Sequence, residues 1–234
     1  MKRKFQHIAY LLMVAAVLTS CGEKKQISEF PDWAWADFQR PEGINPIVSP
    51  DTTTVFYCPM RQDSVAWESS DTFNPAATIY DGKVVVLYRA EDNSAVGIGS
   101  RTSRLGYAYS DDGLHFNRMT VPVFYPADDN QKELEWPGGC EDPRVAVTND
   151  GLYVMLYTQW NRKQARLAVA TSRDLQIWEK YGPAFAKAYG GRFFDEFSKS
   201  ASIVTKLVDG KQVIAKIDGK YWMYWGEKFV NVAT

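Results

Sequence analysis

Short runs of apolar residues, separated by polar turns, recur along this chain at a nearly constant spacing. Residues 83–88 and 152–157 are rich in β-branched and aromatic side chains, and each run follows an Asp-Gly turn, which predicts β-hairpins. Three of the Asp-Gly pairs, those that begin at residues 81, 150 and 218, recur at steps of 69 and 68 residues. A repeat of this length, built from strands and turns, is typical of β-propeller blades.

The first two copies each continue into a second polar turn, at residues 110–113 and 172–174, whereas the third copy stops at Thr234 before such a turn. The sequence therefore predicts an all-β domain over residues 30–234, with about three blades of a larger propeller. A blade buries its faces against its neighbours, so an open set of three leaves apolar surface uncovered. We expect the isolated chain to be poorly folded or prone to aggregate.

A targeting signal is predicted at the N-terminus. A basic start precedes apolar residues 8–18, a stretch too short for a spanning helix, and residues 18–21 resemble the lipobox of bacterial lipoproteins. We expect a signal peptide over residues 1–20, lipidation of Cys21 and a polar tether over residues 21–29. The chain would then be a periplasmic or outer-membrane lipoprotein, held at the membrane by lipid alone. The alternative is a cleaved signal with an incidental cysteine.

The composition of the chain argues against several classes of function. The net charge is −1 and no long basic run follows the N-terminus, which argues against nucleic acid as a partner. His7 and His115 are the two histidines, so a His-based triad or a His-rich metal site is close to excluded. Cys58 and Cys140 show no metal-ligand spacing, and the sequence leaves open whether they pair. We therefore predict no metal and no organic cofactor.

The densest group of charged residues is Glu141-Asp142-Pro143-Arg144, which leads into an apolar strand. A proline biases the preceding residue towards an extended backbone, so Pro143 is expected to hold the Asp142 carboxylate in one direction. A general acid needs such a fixed direction. The alternative is a strand-entry turn in which the arginine bridges to a carboxylate of the same motif.

Further polar residues lie at the ends of the predicted strands. Asn74, Arg89 and Glu91 bracket the first hairpin, where amide and guanidinium groups could bind sugar hydroxyls, or could simply form a solvated hairpin end. Arg104 is either a cation facing the site or half of a salt bridge between blades. Lys199 begins the third copy at the place that Asn74 and the Asp142 motif occupy in the first two. Polar groups at one repeat position should converge on the propeller axis.

Glu227 follows a run of aromatic residues that includes Trp225. Aromatic rings can stack on sugar faces while a nearby carboxylate acts as a proton donor or base, so this pair indicates a carbohydrate subsite. The alternative is that Glu227 is an edge-strand charge that limits aggregation.

Taken together, these motifs resemble glycoside hydrolase family 130, which contains β-mannoside phosphorylases and β-1,2-mannosidases on a five-bladed propeller. The resemblance covers the chain from about residue 68 to its end. It is carried by Asn74, by the Arg89-Ala90-Glu91 triplet, and by residues 103–106, 139–144, 198–199 and 221–227.

The resemblance implies roles for individual residues. Asp142 corresponds to the proton donor of the family, and Asn74, Arg89 and Glu91 to residues that hold the mannose at the cleavage site. Glu227 corresponds to a carboxylate that the hydrolases use in catalysis. The remaining candidates for substrate binding are Arg104, Arg144, Lys199 and Trp225.

The expected function is therefore an exported inverting β-mannosidase acting on β-1,2-linked mannose in oligosaccharides, or an inactive fragment of one. Hydrolysis is favoured because phosphorylases of this family use a histidine at their phosphate site and His115 lies in a hairpin. Export also favours hydrolysis, since a sugar phosphate is useful inside the cell. The alternatives are a β-1,4-mannosyl-glucose or mannooligosaccharide phosphorylase, with inorganic phosphate as co-substrate, and a glycan-binding propeller without catalysis.

Overall fold

The computed structural model describes residues 39–234, within which Glu42–Thr234 form one compact unit. The predicted signal peptide, the tether, the lipidation site at Cys21 and the start of the predicted domain at residue 30 lie outside the described residues. Among residues 39–234, no helix has the length and apolar character needed to cross a membrane.

The first blade is a four-stranded antiparallel sheet that follows a small hairpin. The hairpin strands are β1 (Phe56–Cys58) and β2 (Asp63–Val65). The blade strands, in their order across the sheet, are β3 (Asp71–Tyr80), β4 (Lys83–Glu91), β5 (Ser103–Ser110) and β6 (Asn117–Arg118). Asp81 and Gly82 join β3 to β4 with positive φ angles of 49° and 72°, as a tight hairpin turn requires.

The second blade repeats this arrangement after a short helix, α1 (Lys132–Glu135), which the sequence did not predict. Its strands, in order, are β7 (Gly139–Val147), β8 (Tyr153–Trp160), β9 (Ala165–Ser172) and β10 (Glu179–Pro183). The two blades meet where Ser103 of β5 pairs with Gly139 of β7. A 3₁₀ turn over Ala188–Gly191 follows β10.

The third blade contains an insertion. Its strands are β11 (Lys199–Ile203), β12 (Thr205–Val208), β13 (Lys211–Ile214), β14 (Lys216–Ile217), β15 (Lys220–Tyr221), β16 (Met223–Gly226) and β17 (Val230–Ala233). The main sheet has the order β11-β16-β17, while β12 and β13 form an extra hairpin that bridges to Val147 of β7. The all-β propeller fold with about three blades is thus confirmed.

The first strand of each blade, β3, β7 and β11, is interrupted by a β-bulge at the same place. The pairing register shifts between Phe73 and Ala76, between Glu141 and Arg144, and between Lys199 and Ser202. Each bulge contains a residue in the left-handed region: Asn74 (φ 44°), Asp142 (φ 50°) and Ser200 (φ 54°). Bulges re-aim side chains next to active sites. Lys199 therefore corresponds to Glu141, and Ser200 corresponds to Asp142.

The two polar turns predicted after the third strands are built around aspartates. Asp112 Oδ1 accepts hydrogen bonds from the main-chain N–H groups of residues 114 and 115, each at 2.8 Å. Asp174 Oδ1 accepts them from residues 176 and 177, at 2.9 and 2.8 Å. A serine two residues earlier donates to each aspartate. These Asx-type turns fix the chain reversal with or without a glycine, which is why both sequences form it.

Apolar side chains pack between the first two blades, while the third blade leaves one face open. Leu87, Leu105 and Met155 are fully buried in the main cluster. In the third blade, Val230 and Val232 are 82% and 54% exposed, and apolar side chains around Trp225 line a cavity of about 1030 Å³. Exposed apolar surface of this size favours self-association. The predicted aggregation of the isolated chain would occur through this surface, and it stays a prediction.

The contact between the first two blades gives a stability prediction. Gly139 has a φ of 123°, and a Cβ at this position would lie 2.2 Å from the Ser103 carbonyl oxygen. We expect Gly139→Ala to lower the free energy of unfolding by about 1–3 kcal/mol more than Gly151→Ala, because overpacking adds to backbone strain. Gly151 is the matched control, since it also has a positive φ, of 82°, but no atom within 4 Å of the added Cβ. Equal losses of unfolding free energy in the two variants, measured by urea denaturation, would contradict the conclusion that the blades approach too closely at Gly139 to admit a Cβ atom.

Candidate active site

The bulges of the first two blades bring Asn74 and Asp142 together. Asn74 Nδ2 donates a hydrogen bond of 2.9 Å to Asp142 Oδ1, linking residues 68 positions apart. The expectation that Pro143 holds Asp142 extended is wrong, because Asp142 lies in the left-handed region with a φ of 50°. The β-bulge outweighs the preference of a residue before proline for an extended backbone. Pro143 lies within the bulge, so its missing N–H group removes no hydrogen bond between the strands. A left-handed non-glycine residue costs about 1–3 kcal/mol and is typical of functional sites.

Arg89 lies at the centre of the site. Its guanidinium group contacts three carboxylates, with N–O distances of 2.6 Å to Glu91, 2.9 Å to Glu141 and 3.0 Å to Asp142. The side chain is buried, and Phe73 lies beneath the guanidinium at 4.5 Å. Burial alone would lower the pKa of Arg89, but the surrounding carboxylates outweigh it and raise that pKa. Arg89 therefore remains a fixed cation that orients all three acids.

Strand geometry explains why these groups meet. Arg89 and Glu91 are two positions apart at the end of β4, so their side chains point to the same face. Glu91 pairs with Ser103 on β5, whose hydroxyl lies 3.1 Å from Glu91 Oε1 and accepts a 3.0 Å hydrogen bond from Arg89 Nε. Arg101 contacts Glu91 Oε2 at 3.4 Å and also pairs with Asp71.

Two residues of the cluster, Glu141 and Ser103, were not among the predicted site residues. Glu141 contacts Arg89 and lies 3.3 Å from the Ser103 hydroxyl. Burial raises the pKa of Glu141 to about 7, and the nearby carboxylates of Asp142 and Glu91 contribute, while Arg89 acts in the opposite direction. The signal for Glu141 was its place beside Asp142 in the charged motif. Ser103 lies in the 103–106 motif that carries the family resemblance, but the sequence assigned no role to the serine itself.

Arg144 does not bridge to the carboxylates of its own motif. Its Nη1 donates a 2.7 Å hydrogen bond to the carbonyl oxygen of Pro143. The side chain lines a cavity of about 170 Å³ between the inner strands, together with Ser202 and Gln212. The alternative of a bridge within the motif is therefore wrong, and the arginine that contacts Glu141 and Asp142 is Arg89 from the neighbouring blade.

Lys199 and Glu227 form a separate ion pair in the third blade. Lys199 Nζ lies 3.0 Å from Glu227 Oε2, and each side chain is about one-third exposed. The pair shares no partner with the Arg89 cluster among residues 39–234. Both side chains are thus accessible from solvent, and their roles in substrate binding and catalysis stay predictions.

Arg104 and Trp225 lie away from the Arg89 cluster. Arg104 is fully buried, 2.9 Å from Asp92, with its guanidinium over Phe56, so a sugar has no access to it. The reason is strand alternation: Ser103 faces the site, and the next residue points to the opposite face. Neither of its two proposed roles is correct, because the salt bridge of Arg104 is with Asp92, directly after β4 of the same blade, and does not join two blades. Trp225 packs against Phe185 with ring centroids 4.7 Å apart, in the apolar cluster of the third blade.

The described residues contain neither a metal-binding cluster nor a disulfide bond. No group of three or more His, Cys, Asp or Glu side chains in residues 39–234 has an arrangement that could hold a metal ion. Cys58 and Cys140 are both buried and are not disulfide-bonded. The two cysteines therefore do not pair in this structure.

Comparison with known proteins identifies the class. Residues 39–233 match the model of glycoside hydrolase family 130, described as beta-1,4-mannooligosaccharide phosphorylase. The chain therefore belongs to glycoside hydrolase family 130, a family of five-bladed β-propellers.

Individual relatives include phosphorylases and hydrolases. The chain is 36% identical over 152 residues to a 1,2-beta-oligomannan phosphorylase of Thermoanaerobacter sp. (strain X514), a match that covers 63% of this chain and 46% of the relative. A solved structure, from work described as finding glycoside hydrolases that target beta-1,2 mannosidic linkages in Candida mannan within this family, is 69% identical. Its TM-score is 0.84, with 87% of this chain and 56% of that one covered.

A solved glycosyl hydrolase from Bacteroides ovatus is 67% identical, with a TM-score of 0.85 and coverage of 87% of this chain and 57% of that chain. The chain thus spans about half the length of the relatives that it matches.

Proposed function

We propose that this protein hydrolyses β-1,2-linked mannosides with inversion, using Asp142 as the general acid. One observation carries the proposal: Asn74 and Arg89 both bind Asp142 through Oδ1, and among the described residues Oδ2 accepts no hydrogen bond. A carboxyl group held by one oxygen presents the other, with its proton, in a fixed direction towards a glycosidic oxygen.

An inverting hydrolase also needs a second carboxylate that activates water on the opposite face of the sugar, about 6.5–9.5 Å from the acid. Glu227 is the candidate for this base, because it is partly exposed and Lys199 holds one of its oxygens. The mannose would lie between them, while Glu91, which is fully buried, would act by holding Arg89 rather than by touching the sugar. Arg144, in the cavity between the inner strands, is a candidate for substrate binding.

The choice of hydrolysis is supported by the 67–69% identity to the two solved structures, whose descriptions name hydrolases. The scarcity of histidine supports it as well, since His115 bonds to Asp112 in an exposed turn. Phosphorolysis is the second candidate, favoured by the 36% identical phosphorylase. No metal or organic cofactor is invoked. The lipid anchor at Cys21 and the location in the cell envelope remain predictions from the sequence.

The test is to incubate the protein with β-1,2-mannobiose, with and without inorganic phosphate, and to quantify mannose and mannose 1-phosphate. We expect free mannose, released first as the α-anomer, at a rate that does not depend on phosphate. Phosphate-dependent formation of mannose 1-phosphate would replace the proposal with phosphorolysis. Binding of the disaccharide without turnover would indicate a glycan-binding propeller.

A further inference from the structure

The three carboxylates around Arg89 are not equally compensated. Glu91 has Arg89 on one oxygen and Arg101 on the other. Asp142 receives hydrogen bonds from Asn74 and Arg89. Glu141 shares the same guanidinium but contacts no second cation among the described residues. One guanidinium cannot neutralise three buried carboxylates, so protons are held within the cluster, and Glu141, the least compensated acid, holds one in addition to the transferable proton of Asp142.

The Ser103 hydroxyl supports the same assignment. It accepts a hydrogen bond from Arg89 Nε, and it lies 3.1 Å from Glu91 Oε1 and 3.3 Å from Glu141 Oε1. A serine has only one proton to donate. When that proton goes to the nearer carboxylate, Glu91, the contact with Glu141 is favourable only if Glu141 supplies the hydrogen.

We propose that Glu141 is a positioning residue that stays protonated in the active enzyme and thereby leaves the Arg89 guanidinium to hold Asp142. The proposal builds on the proposed function, in which Asp142 is the acid. Loss of the proton from Glu141 would create, besides Glu91, a further anion that competes with the Asp142 carboxyl group for the Arg89 guanidinium. It would draw the guanidinium away from Asp142 and misplace the acid without removing any group that touches the substrate.

The surroundings of Glu141 make it sensitive to pH near neutrality. The charged groups facing it are Arg89 and Glu91 from β4 and Asp142 from β7, with Arg101 and Asp71 behind Glu91. On the strands beside it, Asn74 of β3 and Thr158 of β8 are uncharged. Burial, with the nearby carboxylates contributing, raises the pKa of Glu141 to about 7. We therefore expect the active form to be lost as pH rises through this value.

The first test is the pH dependence of turnover of β-1,2-mannobiose. Wild-type kcat should fall about tenfold between pH 6 and pH 8, as expected for one ionisation near pH 7. Glu141→Gln mimics the neutral acid, so it should retain kcat within a few-fold at pH 6 and lose the fall at higher pH. Glu133→Gln, the same change at an exposed site, should behave as wild type. An unchanged pH profile in Glu141→Gln would overturn the proposal.

The second test does not depend on turnover. In protein labelled with ¹³C at the glutamate carboxyl carbon, one resonance should titrate with a midpoint near pH 7 and should be absent from Glu141→Gln. A midpoint for Glu141 in the ordinary range of glutamate would overturn the proposal even if the enzyme is active. If no mannoside is turned over but the midpoint is near 7, the proposed function fails while the assignment of the proton to Glu141 stands.

Discussion

Asp142→Asn should lower the turnover of β-1,2-mannobiose by about 10²–10⁴-fold, the usual contribution of a general acid. Asparagine keeps the shape of the side chain, and its carbonyl oxygen can still accept the hydrogen bonds of Asn74 and Arg89 at the Oδ1 position. What it lacks is the transferable proton. The fall should therefore appear in kcat, while binding of the disaccharide, measured by calorimetry, changes little.

Asp150→Asn is the matched control for this change. Asp150 pairs with Arg173 on the surface, where both side chains are largely exposed, so the same substitution there should leave kcat unchanged. Retention of turnover by Asp142→Asn would remove Asp142 from its proposed role. Loss of both binding and turnover would indicate that Asp142 serves mainly to build the site.

Arg89→Leu should lower the free energy of unfolding by about 3–5 kcal/mol at pH 7, because removing one partner of a buried ion pair leaves its counter-charges uncompensated. Arg89 is 3% exposed and contacts Glu91, Glu141 and Asp142. The loss should shrink as the pH falls towards 4, since protonation of the carboxylates removes the repulsion. Urea denaturation at several pH values measures both effects.

Arg173→Leu is the control for Arg89→Leu. Its ion pair with Asp150 is exposed, with side chains 61% and 69% accessible, and exposed pairs contribute about 0–1 kcal/mol. A loss of similar size for the two variants would show that the carboxylates around Arg89 are well solvated. That result would also weaken the argument that Glu141 must hold a proton.

The predictions that succeeded rest on local signals. Asp-Gly turns and β-branched runs specify hairpins through backbone geometry: φ is positive at both residues of the turn at 81–82 and at Gly151 in the turn at 150–151. In the third blade, the turn at Asp218 joins β14 to β15, two short strands outside the sheet β11-β16-β17, so it does not join the first two strands of that sheet as the repeat implied. The bulges of β7 and β11 are only 58 residues apart. The inserted hairpin β12–β13 lengthens the chain between β11 and the Asp-Gly pair at residues 218–219, so the spacing of the three Asp-Gly pairs stays nearly constant.

The predictions that failed concern the direction of one side chain and the backbone conformation of one residue. Arg104 and Ser103 are neighbours in sequence, yet alternation along β5 sends the serine to the site and buries the arginine on the other face. Asp142 was expected to be extended because of Pro143, but the bulge of β7 places it in the left-handed region. In both cases the deciding factor is the register of the sheet, which depends on partners far away along the chain.

By itself the sequence determined the repeat, the all-β fold, the family and most of the polar residues that gather at the site, because each of these is encoded in short stretches of chain. Only the tertiary structure decided that Arg89, rather than Arg144, holds Asp142, and that Glu141 shares the same guanidinium. Those contacts join β4 of one blade to β7 of the next across 53 residues. Their energies depend on burial and on the balance of neighbouring charges, which exist only once the blades have packed together.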